Sequence, residues 1–333
     1  LSLALVSGAH GFVGSHLARG LLERGDAVRV LDRPSPRLAD VGGERLSGLD
    51  LLGIRGEVEL VEADLRDAGA VAAAVEGADA VFHLAAQTIV GVARRSPLET
   101  FEVNVQGAWN VFEACREQGV GQVVFASSDK AYGSSPELPY REDFPLRAAY
   151  PYDASKAAAD MIARSYANAY GLPLAVSRFA NVYGGGDLNF SRLVPETVIA
   201  LLDDRAPIIR SDGSPERDFL HVEDAVSAYL AIAAALEDGT AVGEAFNAGG
   251  ERPHSVREVV DLIAVAAGGG IEPDFQGEGN PDGEIDRQFV DSTKLRELTG
   301  WRPEVELEDG LRRTLEWYRE HPEARPRASA VEV

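Results

Sequence analysis

Short apolar runs alternate with amphipathic stretches through the first half of the chain. Residues 3–7, 27–31, 58–61, 80–83, 123–126 and 174–177 are brief, rich in Val, Leu, Ala and Phe, and bounded by Gly or polar residues, which predicts strands. Residues 12–24, 68–76, 97–117 and 155–169 space their apolar positions three and four apart, which predicts helices. Strand and helix in this rhythm mean βαβ units, and so a doubly wound α/β fold whose parallel sheet is covered on both faces. The Pro-, Gly- and charge-rich stretches 33–56 and 132–149 read as excursions at the edge of that sheet.

After residue 180 the rhythm breaks. Gly184-Gly185-Gly186, Pro195, Pro207, Gly213 and Gly268-Gly269-Gly270 punctuate shorter elements, although 222–236, 256–267 and 307–320 keep a helical period. The pattern predicts a main domain over 1–180, to which later segments return. A smaller interleaved subdomain over 181–321 follows, then a tail over 322–333 with too little apolar content to order itself.

Composition narrows the classes of function. The 333 residues carry 54 Asp+Glu against 32 Lys+Arg, a formal charge of −22, and 45% of them are hydrophobic. That apolar fraction builds a core and excludes a disordered or fibrous chain. The acid excess argues against nucleic-acid or anionic-membrane partners, which need a basic face, and no apolar run reaches the roughly 18 residues of a membrane span. The lone Cys115 makes neither an internal disulfide nor a thiolate metal site, and the six histidines lack ligand spacing, so no metal is expected. With a strand pattern in place of a secretory leader, the expected setting is the cytoplasm. Only Lys130, Lys156 and Lys294 are lysines; two of them fall in the stretches discussed next.

Three stretches carry candidate chemistry. Gly8-Ala9-His10-Gly11-Phe12-Val13-Gly14 sits between the first strand and the first helix. There Gly8 permits the tight turn, Gly11 a close backbone approach to a pyrophosphate and Gly14 close helix–sheet packing, with the helix N-terminus facing the anion. Asp32 ends the second strand, placed to accept from adenosine ribose hydroxyls and to repel a 2′-phosphate, which favours NAD over NADP despite the neighbouring Arg33. Asp64 is either an acceptor for the adenine amino group or a helix N-cap. Ser127-Ser128-Asp129-Lys130-Ala131-Tyr132-Gly133 follows the fifth strand and puts a hydroxyl, a carboxyl and an amine side by side. Tyr152 and Lys156, four apart, share one helical face; an ammonium there lowers the phenol pKa and makes Tyr152 a general base.

Together with His83-Leu84-Ala85-Ala86, Asn181-Val182-Tyr183-Gly184 and Arg217-Asp218-Phe219, these motifs resemble the extended short-chain dehydrogenase/reductase family that acts on nucleotide-sugars. The resemblance implies a Rossmann domain that holds NAD through Gly8, Gly11, Phe12, Val13, Gly14, Asp32, Asp64, Leu65, Leu84, Ala85, Ala86, Asn104, Tyr152 and Lys156. It implies that Gln87, Asn181, Arg192, Arg210, Arg217 and Arg287 contact a nucleoside-diphosphate sugar, and that the helices around 97–117 and 152–169 pair in a homodimer. Ser128-Asp129-Lys130 is similar to the CDP-glucose 4,6-dehydratases, where dTDP-glucose enzymes carry Thr-Asp-Glu. The implied reaction has Tyr152 take the O4 proton while Ser128 holds the hydroxyl and NAD+ receives the C4 hydride. Asp129 then protonates the departing C6 hydroxyl and Lys130, with a depressed pKa, removes the C5 proton; the hydride returns to C6. The glycine loop looks more like the 4-epimerases, which use Ser128, Tyr152 and Lys156 without loss of water and form the alternative expectation. A third reading, an NAD-binding sensor without turnover, is disfavoured by the intact Tyr152/Lys156 pair.

Overall fold

The computed structural model describes residues 2–33, 39–41, 44–278 and 285–326. Seven parallel strands form its central sheet: β1 (Leu3–Ser7), β2 (Ala27–Asp32), β3 (Glu59–Glu62), β4 (Ala80–His83), β5 (Gln122–Ala126), β6 (Leu174–Phe179) and β7 (Ala245–Ala248), in the order β7-β6-β5-β4-β1-β2-β3. Successive side chains enter opposite layers, so the inner strands are largely apolar, while the edge strand β3 begins and ends on exposed Glu59 and Glu62. Val6, Val30, Phe82 and Val124 pack with Leu17 and Leu21 of the helix Phe12–Glu23 and with Ala225, Ala228 and Ile232 of the helix Val222–Glu237. Leu5, Leu31, Val81 and Phe125 pack on the other side with Val111 and Phe112 of the helix Gly107–Gln118 and with Ala159 and Ala163 of the helix Pro151–Tyr170.

The expected strands are all present, the third shifted by one residue, but β7 was not among them. Its Ala-Phe-Asn-Ala sequence holds no β-branched residue; it is a strand because β6 offers an open edge, with Ala245 opposite Val176. Through β7 the chain returns from the second lobe to the main sheet. The helix expected over 97–117 is continuous but locally underwound: a π-helical turn, Glu102–Gln106, lies between Pro97–Phe101 and Gly107–Gln118. The helix expected from residue 155 starts earlier, at Pro151, where a missing N–H and a fixed φ suit the first helical position.

The second lobe packs the helices Leu193–Leu202, Val256–Ala266 and Leu307–Glu320 around Val194, Val198, Val259, Ile263, Leu311, Leu315 and Tyr318. Pro195, read as a break, sits inside the first of these helices. It occupies the first turn, where its N–H has no helical partner to lose. The paired strands Asn181–Tyr183 and Phe219–His221 lead out of the sheet, and Glu216–Arg217 lies between His254–Ser255 and Arg287–Gln288. The expected tail begins in order: Pro322–Ala324 forms a 3₁₀ turn with Ala324 buried, and Arg325 Nε donates to the Tyr318 carbonyl at 2.8 Å. Residues 327–333 lie outside the described residues. Among the described residues no helix is long and apolar enough to cross a membrane.

Candidate active site

Beyond the carboxyl ends of β1 and β4 the strand order reverses, and the connections leave in opposite directions to open a crevice. A cavity of about 560 Å³ occupies it, running from Asp32 past Gly8–Gly14 and Leu84–Gln87 to Ser128, Tyr152, Asn181 and Arg192.

At one end the backbone itself is the binding surface. Gly8 has φ +82°, and a Cβ there would stand 2.8 Å from the backbone of Ala85; a Cβ on Gly14 would run into the Gly8 carbonyl. The helix Phe12–Glu23 starts at Gly11, which has no side chain to cap it. The first-turn N–H groups of Phe12, Val13 and Gly14 therefore line a cavity suited to anionic oxygens. The opposing wall is fixed by Ser7: its oxygen accepts from the N–H groups of Leu84 (3.1 Å) and Ala85 (3.2 Å), so its hydrogen goes to His83 Nδ1 at 2.7 Å. His83 is buried, its pKa pushed down to about 3 by desolvation and the nearby Lys156, and it stays neutral.

Asp32 is oriented by two backbone donors, the His10 N–H to Oδ2 at 3.1 Å and its neighbour Arg33 to Oδ1 at 3.0 Å, which leaves each oxygen a further lone pair. Asp64 and Leu65 line the same end. Asp64 is not an N-cap: Asp67 caps the helix Ala68–Val75, and Asp64 pairs with Arg66 at 2.6 Å.

At the other end Ser128 caps a 3₁₀ turn, Asp129–Tyr132. Its hydroxyl accepts from the Lys130 N–H and donates to Asp129 Oδ1, both at 3.2 Å, while Asp129 Oδ2 is buried with no partner. Burial raises the Asp129 carboxyl to about 6, against the pull of Lys130 and Arg217. Tyr152 faces Ser128 across the cavity. Its phenol is not lowered as the Lys156 spacing suggested: burial and the charges of Asp153 and Asp129 push it up. Lys156 lies behind the wall, 4% exposed, donating to the Ala126 carbonyl at 2.8 Å over the Phe125 ring, and burial lowers its ammonium to about 8.

Several expected contacts lie outside the cavity. Asn104, on the π-helical turn, is bonded within the protein: it accepts from the Gln87 N–H (2.6 Å) and donates to the Gln87 carbonyl and Ser155 Oγ. Arg210, Arg217 and Arg287 are also beyond the cavity wall, with Arg217 and Arg287 on adjacent strands and Arg287 held by Glu216 at 2.7 Å. Arg192 does line it, fixed by the buried Asp187 and the Val182 carbonyl, both at 2.6 Å. Asp187, Ser127 and His10 are lining residues that sequence reasoning did not single out; only the five-residue spacing of Asp187 and Arg192 hinted at one of them. Among the described residues no three His, Cys, Asp or Glu side chains gather closely enough to hold a metal ion.

The sequence profile of the NAD dependent epimerase/dehydratase family matches residues 4–249. A UDP-glucose 4-epimerase of Mycolicibacterium smegmatis is 35% identical over 95% of this chain and 98% of its own. A dTDP-glucose 4,6-dehydratase of Streptomyces griseus is 33% identical over 95% and 94%. The dTDP-glucose 4,6-dehydratase of Streptomyces venezuelae, solved with NAD bound, superposes with a TM-score of 0.83 at 31% identity over 96% of this chain and 97% of that one. With its parallel sheet, its glycine loop at the switch point and its Ser/Tyr/Lys set at the far end, the chain belongs to the NAD dependent epimerase/dehydratase family of enzymes that modify nucleotide-sugars.

Proposed function

We propose that the protein is an NAD-dependent nucleoside-diphosphate-hexose 4,6-dehydratase, with CDP-glucose or a related NDP-glucose as substrate. The observation that carries this reading is Asp129, a cavity-lining carboxyl with one unpartnered oxygen and a pKa near 6. A C4 epimerisation has no use for such a group, whereas elimination needs an acid for the leaving hydroxyl.

The dinucleotide fits the glycine cradle: Gly8, Gly11 and Gly14 leave room for it, the N–H groups of Phe12 and Val13 take the pyrophosphate, and Asp32 takes the ribose. Asp64 and Leu65 border the adenine, and Leu84, Ala85 and Ala86 form the facing wall. When bound, NAD+ would supply a positive charge beside Tyr152 and an acceptor for the C4 hydride, which in its reduced form it would give back to C6 after water has left, while Lys130 returns its proton to C5. Tyr152 takes the proton of the sugar O4 while Ser128 holds that oxygen, and Lys156 keeps positive charge behind the phenol. With C4 a ketone the C5 hydrogen is acidic. Lys130 takes it, the C5–C6 double bond forms, and Asp129 gives its proton to the C6 hydroxyl, which leaves as water. Gln87, Asn181 and Arg192 border the sugar, and Arg217 and Arg287, beyond the cavity wall, offer planar cations to a diphosphate that extends out of it.

Incubation with CDP- and dTDP-glucose is expected to give a product lighter by one water. Constant mass with every NDP-hexose would remove the reading. Lys130→Met is expected to retain C4 oxidation, seen as NADH absorbance, but to lose exchange of the C5 hydrogen with solvent; unchanged exchange would leave Lys130 a positioning role only.

The 4-epimerase reading is favoured by one observation, the 35% identity to an epimerase over nearly the whole chain. Asp129→Asn separates the two, since it stops elimination and leaves interconversion at C4 intact. The apolar side chains exposed on the helices Pro97–Phe101, Gly107–Gln118 and Pro151–Tyr170, with Leu98 71% and Met161 66% exposed, support a homodimer paired through these helices.

A further inference from the structure

On local grounds alone, position 192 is a poor place for an arginine. It is the N-cap of the helix Leu193–Leu202, where small polar side chains are favoured and a cation opposes the helix dipole, and its side chain makes no capping hydrogen bond. The guanidinium instead borders the cavity, where it is pinned: Nη1 donates to Asp187 Oδ2 and Nη2 to the Val182 carbonyl, both at 2.6 Å. Asp187 is itself locked. It is buried, its Oδ1 accepts from the Asn189 N–H at 3.0 Å, and its carbonyl accepts at 2.6 Å from Tyr318 Oη on the helix Leu307–Glu320. A local preference broken with so much support points to function rather than to folding.

We propose that Asp187 is a positioning residue that makes Arg192 a fixed, charge-balanced donor to hydroxyls of the substrate's hexose. This rests on the reading that the cavity takes a nucleoside-diphosphate sugar. A guanidinium has five N–H donors and no acceptor, so after Asp187 and Val182 have each taken one, others remain to donate. The Arg192 side chain stays 35% exposed, so a ligand in the cavity can reach it. Carboxylate and guanidinium this close cancel each other at a distance, so the pair adds little to the long-range attraction of a diphosphate. Its directed N–H groups serve neutral oxygens instead, and a charged donor makes the stronger kind of hydrogen bond. Because Asp187 holds the side chain beforehand, less rotamer entropy is lost when the sugar arrives.

The test is calorimetric titration of the NAD-loaded protein with CDP, UDP and dTDP and with the glucose derivative of each, in a Tyr152→Phe background so that heat reports binding alone. For the pair that binds, Asp187→Asn is expected to weaken the NDP-glucose about tenfold or more, the worth of a hydrogen bond to a charged group. Affinity for the bare diphosphate is expected to stay within about twofold of the parent, which also shows that each variant is folded. Arg192→Gln is expected to lose as much, and Asp187→Asn to cost nothing further on top of it, because the carboxylate acts through the guanidinium. Unchanged NDP-glucose affinity in Asp187→Asn overturns the proposal. So does a loss of the same size for NDP and NDP-glucose in Arg192→Gln, which assigns the cation to the diphosphate, and so do additive losses in the double variant, which leave Asp187 a merely structural residue. In each of these outcomes the parent still binds an NDP-glucose, and the reading of the cavity stands. If the parent binds none of the three, that reading fails and takes this assignment with it.

Discussion

In the proposed elimination Asp129 has to be protonated, and its surroundings set when it is. Its pKa near 6 lies above the ordinary value of 3.8, so the folded chain holds one more proton than the unfolded chain between roughly pH 4 and 6. Stability therefore falls as pH rises through that window, and the full penalty, on the order of 1–3 kcal/mol, is present at pH 8. Asp129→Asn is expected to raise the melting temperature at pH 8 and to leave it unchanged at pH 4. In single-turnover measurements the elimination step is expected to fall about tenfold per pH unit above 6, and a rate independent of pH between 6 and 8 would remove Asp129 as the acid. Asp218 carries the same sign, raised to about 7 by burial although it accepts from the Gly250 and Val290 N–H groups. Residue identities at the site were legible in the sequence where spacing constrains them, as with Gly8, Gly14, Tyr152 and the Ser128–Lys130 turn. Burial was not legible. The sequence shows Tyr152 four residues from Lys156 but not that burial pushes the phenol up, nor that Asn104 clamps Gln87.

Elements are where local pattern and tertiary context compete. The βαβ rhythm placed six strands because their apolar runs, the edge strand β3 apart, are buried on both faces; β7 escaped because its four residues are strand-like only beside β6. The π-helical turn is equally invisible in the periodicity, since it answers to Asn104 and to Gly107, where a Cβ would stand 2.7 Å from Leu65. What joins the reacting elements is a buried ion pair. Arg178 on β6 grips both oxygens of Asp160 on the helix Pro151–Tyr170 at 2.8 and 2.9 Å. It also donates to Tyr132 Oη at 3.0 Å, and Tyr132 in turn donates to Asn247 of β7 at 2.8 Å. The helix bearing Tyr152 and the turn bearing Asp129 are thus pinned to one guanidinium. Asp160→Asn strands that charge in the core and is expected to cost about 3–5 kcal/mol in urea unfolding.

For the whole molecule, the sequence pointed to interleaving but not to the segment that carries it. The second lobe sends β7 back into the sheet, and its Asn181, Asp187 and Arg192 close the reacting end of the cavity. If the proposed homodimer forms through the exposed helices, Met161→Arg together with Leu98→Arg is expected to halve the mass seen by light scattering while the far-ultraviolet circular dichroism stays constant. The helix Pro151–Tyr170 then has a double duty. Its leading turn brings the Tyr152 phenol to the cavity, and its outer flank, with Met161 and Tyr170, faces solvent in the lone chain. Whatever covers that flank also stiffens the rod on which proton transfer depends. Turnover per chain should then decline on dilution, before any unfolding is detectable.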